Sequence, residues 1–177
     1  QSPTNIAEWN IRREHVLRQI LVSQGLWPMP QKTPLQATIH SKQQMDGYTL
    51  EKVYFQSMPG FYVTGSLYRP LHAKGSTDKF PAVLCPHGHW PQGRFYDAPA
   101  STLKDQLASG AEQFGQGGRN PIQARCVHLA RLGCIVFAYD MIGYADSQQI
   151  TYELAHRFAK QRPEMNHPTD WGFFSPQ

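Results

Sequence analysis

Ala82-Val83-Leu84-Cys85-Pro86-His87-Gly88-His89-Trp90 is the stretch on which the reading of this chain turns. Its first four residues form a short uninterrupted apolar run, the pattern of a strand covered on both faces in a parallel sheet. A second run of the same kind, Cys134-Ile135-Val136-Phe137-Ala138-Tyr139, leads into Asp140-Met141-Ile142-Gly143-Tyr144-Ala145-Asp146-Ser147. Between the two, Pro121 suits the first turn of a helix that runs to about Leu132, with Ile122, Cys126, Leu129 and Ala130 on one face and Gly133 at its end. Strand, helix, strand in this order is a βαβ unit, right-handed in nearly all proteins. Open parallel sheets bind ligands outside the carboxyl ends of such strands, so the residues just past each strand are the informative ones.

Toward the N-terminus, residues 35–41, 48–56 and 60–69 read as extended. In the last of these Phe61, Val63 and Leu67 alternate with Tyr62, Thr64 and Ser66, the two-residue period of a half-buried strand. Met58-Pro59-Gly60 supplies a turn, so the second and third runs are expected to pair as an antiparallel hairpin. Residues 7–24 place Trp9, Val16, Leu17, Ile20 and Leu21 on one side of a helical wheel, with Arg12, Arg13 and Gln19 elsewhere and Gly25 and Pro28 as the stop. Residues 71–79 read as a polar linker and 90–120 as a long Gly-, Gln- and Ser-containing passage. Beyond Asp140 come a loop, a helix near 152–160 and an aromatic end at Trp171, Phe173 and Phe174.

Composition narrows the function classes. At 177 residues and 40% hydrophobic residues the chain is sized for one domain with a real core. The net charge of +4 is scattered, with Arg12, Arg13 and Arg18 on one helix and no basic run, which argues against a nucleic-acid surface. No apolar stretch approaches the ~18 residues needed to cross a bilayer, and residues 1–30 lack the layout of a signal peptide. The polar start Gln1-Ser2-Pro3-Thr4-Asn5 reads equally as a mature end left by signal removal or as an arbitrary boundary. We therefore expect a secreted or periplasmic location, with the cytoplasm as the alternative. Three cysteines in apolar surroundings, without CxxC or Cys/His spacing, read as buried structural thiols.

The His87-Gly88-His89 turn after one strand, paired with the Asp140-x-x-Gly143-x-x-x-Ser147 turn after the next, resembles the α/β-hydrolase superfamily. With the leading helix, the hairpin ending Gly65-Ser66-Leu67-Tyr68-Arg69-Pro70, and Leu129-Ala130-Arg131-Leu132-Gly133 before the second strand, it is similar to the acetyl xylan esterase-like, dienelactone-hydrolase-related branch of carbohydrate esterases. The match covers most of residues 45–150. The resemblance implies an α/β fold, the N-terminal part of an α/β-hydrolase domain, with a mostly parallel central sheet, an antiparallel N-terminal hairpin and helices on both faces, incomplete as given. It implies one incomplete domain over 1–177: a helical extension at 1–30, antiparallel strands at 35–70, the first βαβ unit at 81–140, and a loop and helix at 141–177 leading to the nucleophile strand.

The family likeness also assigns roles. A main-chain N–H just after the His-Gly turn, that of His89 or Trp90, is the implied oxyanion-hole donor. Such a donor must come within about 3 Å of the developing charge, and Gly88 lets the chain bend that closely. The bland alternative is a tight strand exit with the imidazoles bonded to backbone. His87, Arg94 and Tyr96 are candidate substrate-binding residues, since aromatic faces stack on sugars and a guanidinium meets a carboxylate, and an ordinary surface loop is the competing reading. A metal reading of His87-x-His89 lacks further ligands nearby, with His128, His156 and His167 scattered, so no metal and no cofactor are invoked. Asp140 is expected to bond neighbouring backbone while Gly143 makes the bend.

Family members carry their serine on a Gly-x-Ser-x-Gly elbow, and that motif does not occur here; Ser66 and Ser76 follow glycines but open no helix. None of the Ser/Asp/His triad is therefore assigned, and the segment alone is expected to be inactive. The expected partners are an ester-bearing carbohydrate or other small ester, with neither nucleic acid nor membrane. The remainder of its own domain, from the same longer protein or another chain, is expected to complete the sheet. The expected activity is serine carboxylic-ester hydrolysis of acetyl xylan or glucuronoyl type. The alternative is a non-catalytic remnant or carbohydrate-binding protein of the same fold.

Overall fold

The computed structural model describes residues 2–71, 79–90 and 92–156. Residues 72–78 of the expected linker, the helix beyond 156, His167 and the aromatic end lie outside the described residues. The described residues fall into two units, 2–33 and 34–156.

In the first unit, α1 spans Ile6–Ser23, and the Asn5 side chain caps it by accepting the Glu8 N–H at 2.9 Å. The expected helix forms, yet it buries none of its residues. Trp9 and Ile20 remain half exposed.

The second unit is built on a five-stranded mixed sheet of order β1-β2-β3-β5-β4, with β1 at Thr38–Gln44, β2 at Tyr48–Met58, β3 at Phe61–Pro70, β4 at Ala82–Leu84 and β5 at Ile135–Tyr139. β2 and β3 form the expected antiparallel hairpin, in register from Tyr48↔Pro70 to Gln56↔Tyr62. β3 then pairs antiparallel with β5, and β5 pairs parallel with β4. The sheet of this unit is thus not mostly parallel: three strands precede the crossover, and among the described residues one crossover supplies one parallel pair.

α4, Pro121–Arg131, is that crossover helix, with Pro121 in its first turn and Gly133 at φ 95° just past its end. Its buried residues are Ile122, Cys126 and Ala130, three of the four expected on one face. Cys126 and Ala130 form one core with Tyr48, Tyr68, Cys85, Val136 and Ala138. Because α4 packs on that side of the sheet, the deeper burial along β3 falls at Ser66 and Tyr68, while Phe61, Val63 and Leu67 on the other side are half-buried.

One further expectation is corrected. β4 is not covered on both faces: Leu84 is 72% exposed and Val83 half-buried, and among the described residues β4 is the edge strand, beside β5. The Gly-, Gln- and Ser-containing passage before α4 holds secondary structure of its own. It has a 3-10 turn at Gly93–Phe95, α2 at Ala100–Ser109 and α3 at Gly115–Arg119, and α2 packs on α3, which packs on α4. α5, Tyr152–His156, closes the described chain.

Candidate functional site

β4 and β5 are parallel neighbours in the register Leu84↔Phe137, so the chain leaves both strands at the same end of the sheet. The two exits are joined by one imidazole. His87 is 4% exposed; its Nδ1–H donates to Gly88 O at 2.8 Å, and its Nε2 accepts the Met141 N–H at 3.2 Å. An acceptor Nε2 requires the Nδ1–H tautomer, which is the one that can serve Gly88 O. The ring also meets Tyr144 edge-on, with centroids 5.0 Å apart. His87 therefore lies inside the rim with both nitrogens engaged, rather than turned toward solvent.

The second exit is a tight turn. Gly143 sits at φ 82°, and a methyl group there would lie 2.8 Å from Tyr152 N. Its N–H donates to Ser147 O at 2.9 Å. Burial pushes the Tyr144 hydroxyl up to about 12, with its neighbour Tyr152 adding to the shift.

Asp140 and Arg94 are buried against each other as an ion pair. Asp140 Oδ2 also accepts from Thr64 Oγ1 at 2.7 Å and from the Asp146 N–H at 3.3 Å. Arg94 donates from Nε to Ser66 Oγ at 3.1 Å and from Nη2 to Asp146 Oδ2 at 2.6 Å. The guanidinium is thus matched by two carboxylates of its own chain. Sequence reasoning missed this pairing. The available signal was that a carboxylate following a buried strand needs a cation, and Arg94 is the one Arg or Lys of the His87–Tyr96 stretch.

His89 and Trp90 are exposed. The Trp90 ring folds back over Gly88, where a methyl group would come within 2.8 Å of it, and stacks on half-buried Tyr96 with centroids 4.9 Å apart and planes at 25°. The geometry brings His87, His89, Trp90, Tyr96 and Arg94 to one rim, Arg94 and His87 beneath it and the others on its surface.

Below the rim, the Cys85 and Cys126 Sγ atoms are 3.6 Å apart. Arg125 donates from Nε to Cys85 Sγ at 3.1 Å and from Nη2 to Pro86 O at 2.7 Å. The S–H of Cys126, aided by the Arg125 charge, draws the Cys85 thiol down to about 6, while the same bond and burial hold Cys126 up. All three cysteines are free thiols. Among the described residues, no three His, Cys, Asp or Glu side chains converge as a metal ion would need. No helix among them is long and apolar enough to cross a membrane.

No family model matches this chain, and no curated protein matches it. Among solved structures it is similar to methylesterase BT1017, at 21% identity and a TM-score of 0.55, over 99% of this chain and 34% of that one. It is also similar to a Bacteroides fragilis protein described as a "putative acetyl xylan esterase", at 17% identity and a TM-score of 0.47, over 77% of this chain and 31% of that one. The chain spans about a third of the length of either. The first likeness is one of fold: this α/β chain shares the architecture of part of an esterase.

Proposed function

We propose that this chain is the N-terminal portion of a serine carboxylic-ester hydrolase whose substrate is an ester-bearing carbohydrate of acetyl xylan or glucuronoyl type. One incomplete α/β-hydrolase domain, 1–177, is completed by further chain in this reading. The observation that carries it is the bond from Met141 N–H to His87 Nε2, which holds the His-Gly and Asp-x-x-Gly turns on one rim at the carboxyl ends of adjacent parallel strands.

The next strand of the sheet would add at the bare β4 edge and bring its exit, the nucleophile elbow, beside the His89 and Trp90 amides. One of these amides would donate to the oxyanion of the tetrahedral intermediate, formed when serine attacks the ester carbonyl. The alcohol leaves, and water then releases the acid from the acyl-enzyme. Trp90 and Tyr96 would form an aromatic wall for the alcohol or the sugar. Arg94 and His87 would act beneath the surface, fixing the two turns. The fold likeness to a methylesterase supports the ester class.

The test is hydrolysis of a chromogenic acetate by the full-length protein and its abolition by a serine-directed phosphonate. Absence of hydrolysis, with no Gly-x-Ser-x-Gly in the gene beyond Gln177, would favour a non-catalytic protein of the same fold.

A further inference from the structure

On the same rim, but across β5 and β3 from the β4 edge, lies a cleft of ≈ 350 Å³ lined by Tyr54, Tyr62, Thr64, Asp146, Gln148 and Gln149 among others. Its walls are aromatic. Tyr54 on β2 and Tyr62 on β3 are 39% and 38% exposed, and their rings stand 6.1 Å apart at 71°, two nearly perpendicular surfaces. The His40 ring supports Tyr54 edge-on at 6.0 Å.

The polar side of the cleft is built before any ligand arrives. Gln149 staples its loop to the β2–β3 turn, donating from Nε2 to Gly60 O at 2.8 Å and accepting the Tyr62 N–H at 2.8 Å. Gln148 donates to Ala145 O at 2.9 Å, and Ala145 is held at φ 43°, a conformation that residues with a side chain rarely adopt. Such backbone is retained where the surroundings over-determine it, and it clusters at ligand sites. The next residue, Asp146, has a side chain 52% exposed, and its Oδ2 is fixed by buried Arg94 at 2.6 Å. A half-exposed carboxylate at the edge of aromatic walls is the chemistry that receives a sugar ring: C–H faces lie on the rings while a hydroxyl donates to the carboxylate. Arg94 is already matched by Asp140 and Asp146, so the edge favours a neutral sugar over a uronate.

We propose that this cleft is a distal glycan subsite that holds a neutral sugar residue of the polymer away from the reacting ester. The proposal deepens the esterase reading and rests on it for the position of the reacting centre. Three strand spacings separate the cleft's β2 wall from β4, about 14 Å, a span for a short oligosaccharide.

The test uses the full-length protein with Tyr54→Ala, Tyr62→Ala and Tyr54→Phe, assayed on acetylated xylan and on 4-nitrophenyl acetate, with xylohexaose and mannohexaose as binding probes in calorimetry. The subsite predicts that both alanine variants lose about tenfold in kcat/KM on the polymer. The phenylalanine variant keeps it, and 4-nitrophenyl acetate turnover stays within about twofold. Equal losses on both substrates, or no loss on the polymer, would overturn it. If neither ester is hydrolysed, the esterase reading fails while the subsite is still judged by binding. Hexaose binding weakened by Tyr54→Ala supports the subsite. Absence of binding by either neutral hexaose, or tighter binding of an oligogalacturonate, overturns it.

Discussion

His87 accepts the Met141 N–H through Nε2 at 3.2 Å, and this bond helps to tie the exits of two parallel strands together. Replacing His87 with alanine removes that acceptor and also the donor to Gly88 O. It leaves two main-chain groups unsatisfied in a site where the side chain is almost fully buried. A loss of about 2–4 kcal/mol is expected from denaturant unfolding of the full-length protein. A loss below about 0.5 kcal/mol would mean that the rim is held by other contacts.

Arg94 and Asp140 give a second, independent prediction. Removing one member of a buried pair strands the other, so Arg94→Ala and Asp140→Asn are each expected to cost about 3–5 kcal/mol. Replacing both with apolar residues of similar volume should cost much less than the sum. A double-mutant cycle in urea checks this, and additive losses would show that the two do not act as a unit.

These two relationships mark the border of what the sequence makes legible. α4 is readable because its information is local: Pro121 at the start, Gly133 at the end and a helical spacing of Ile122, Cys126 and Ala130 that becomes its buried face. The β2–β3 hairpin is readable for the same reason, through Met58-Pro59-Gly60. The Arg94–Asp140 pair is not, since its members lie on different elements and no periodicity links them. The burial of β3 on its Ser66 and Tyr68 side depends on which face α4 covers, and alternation alone does not state that. The rim was anticipated from strand order, whereas the inward aim of His87 and Arg94 comes from packing around Tyr144 and Ser66.

Alkaline stability is set in part by Tyr144. Burial raises its folded pKa from 10.0 to about 12, so the folded state keeps a proton that the unfolded chain releases. Its contribution is fully present below pH 10 and lost as pH rises from about 10 to about 12. Burial raises Tyr68 as well, in the same sense. Unfolding free energy measured against pH should fall across this window, and Tyr144→Phe should flatten the fall. An unchanged slope in the variant would contradict the assignment.

Among the described residues β4 is the outer strand of the sheet, and its Leu84 is 72% exposed. Residues 1–177 expressed alone are expected to self-associate through it, and Leu84→Lys to reduce that association by placing a charge on the edge. Sedimentation of both forms decides. A monomeric, cooperatively unfolding wild-type segment would refute the expectation.

In the proposed esterase, the main chain after Gly88 faces a reacting ester carbonyl. A crystal structure of the full-length protein inactivated by a serine-directed phosphonate tests it directly. The expected result is a phosphonyl oxygen within about 3 Å of the N–H of His89 or Trp90. An adduct whose oxygen is held elsewhere, with the His89 and Trp90 amides turned away, would contradict it.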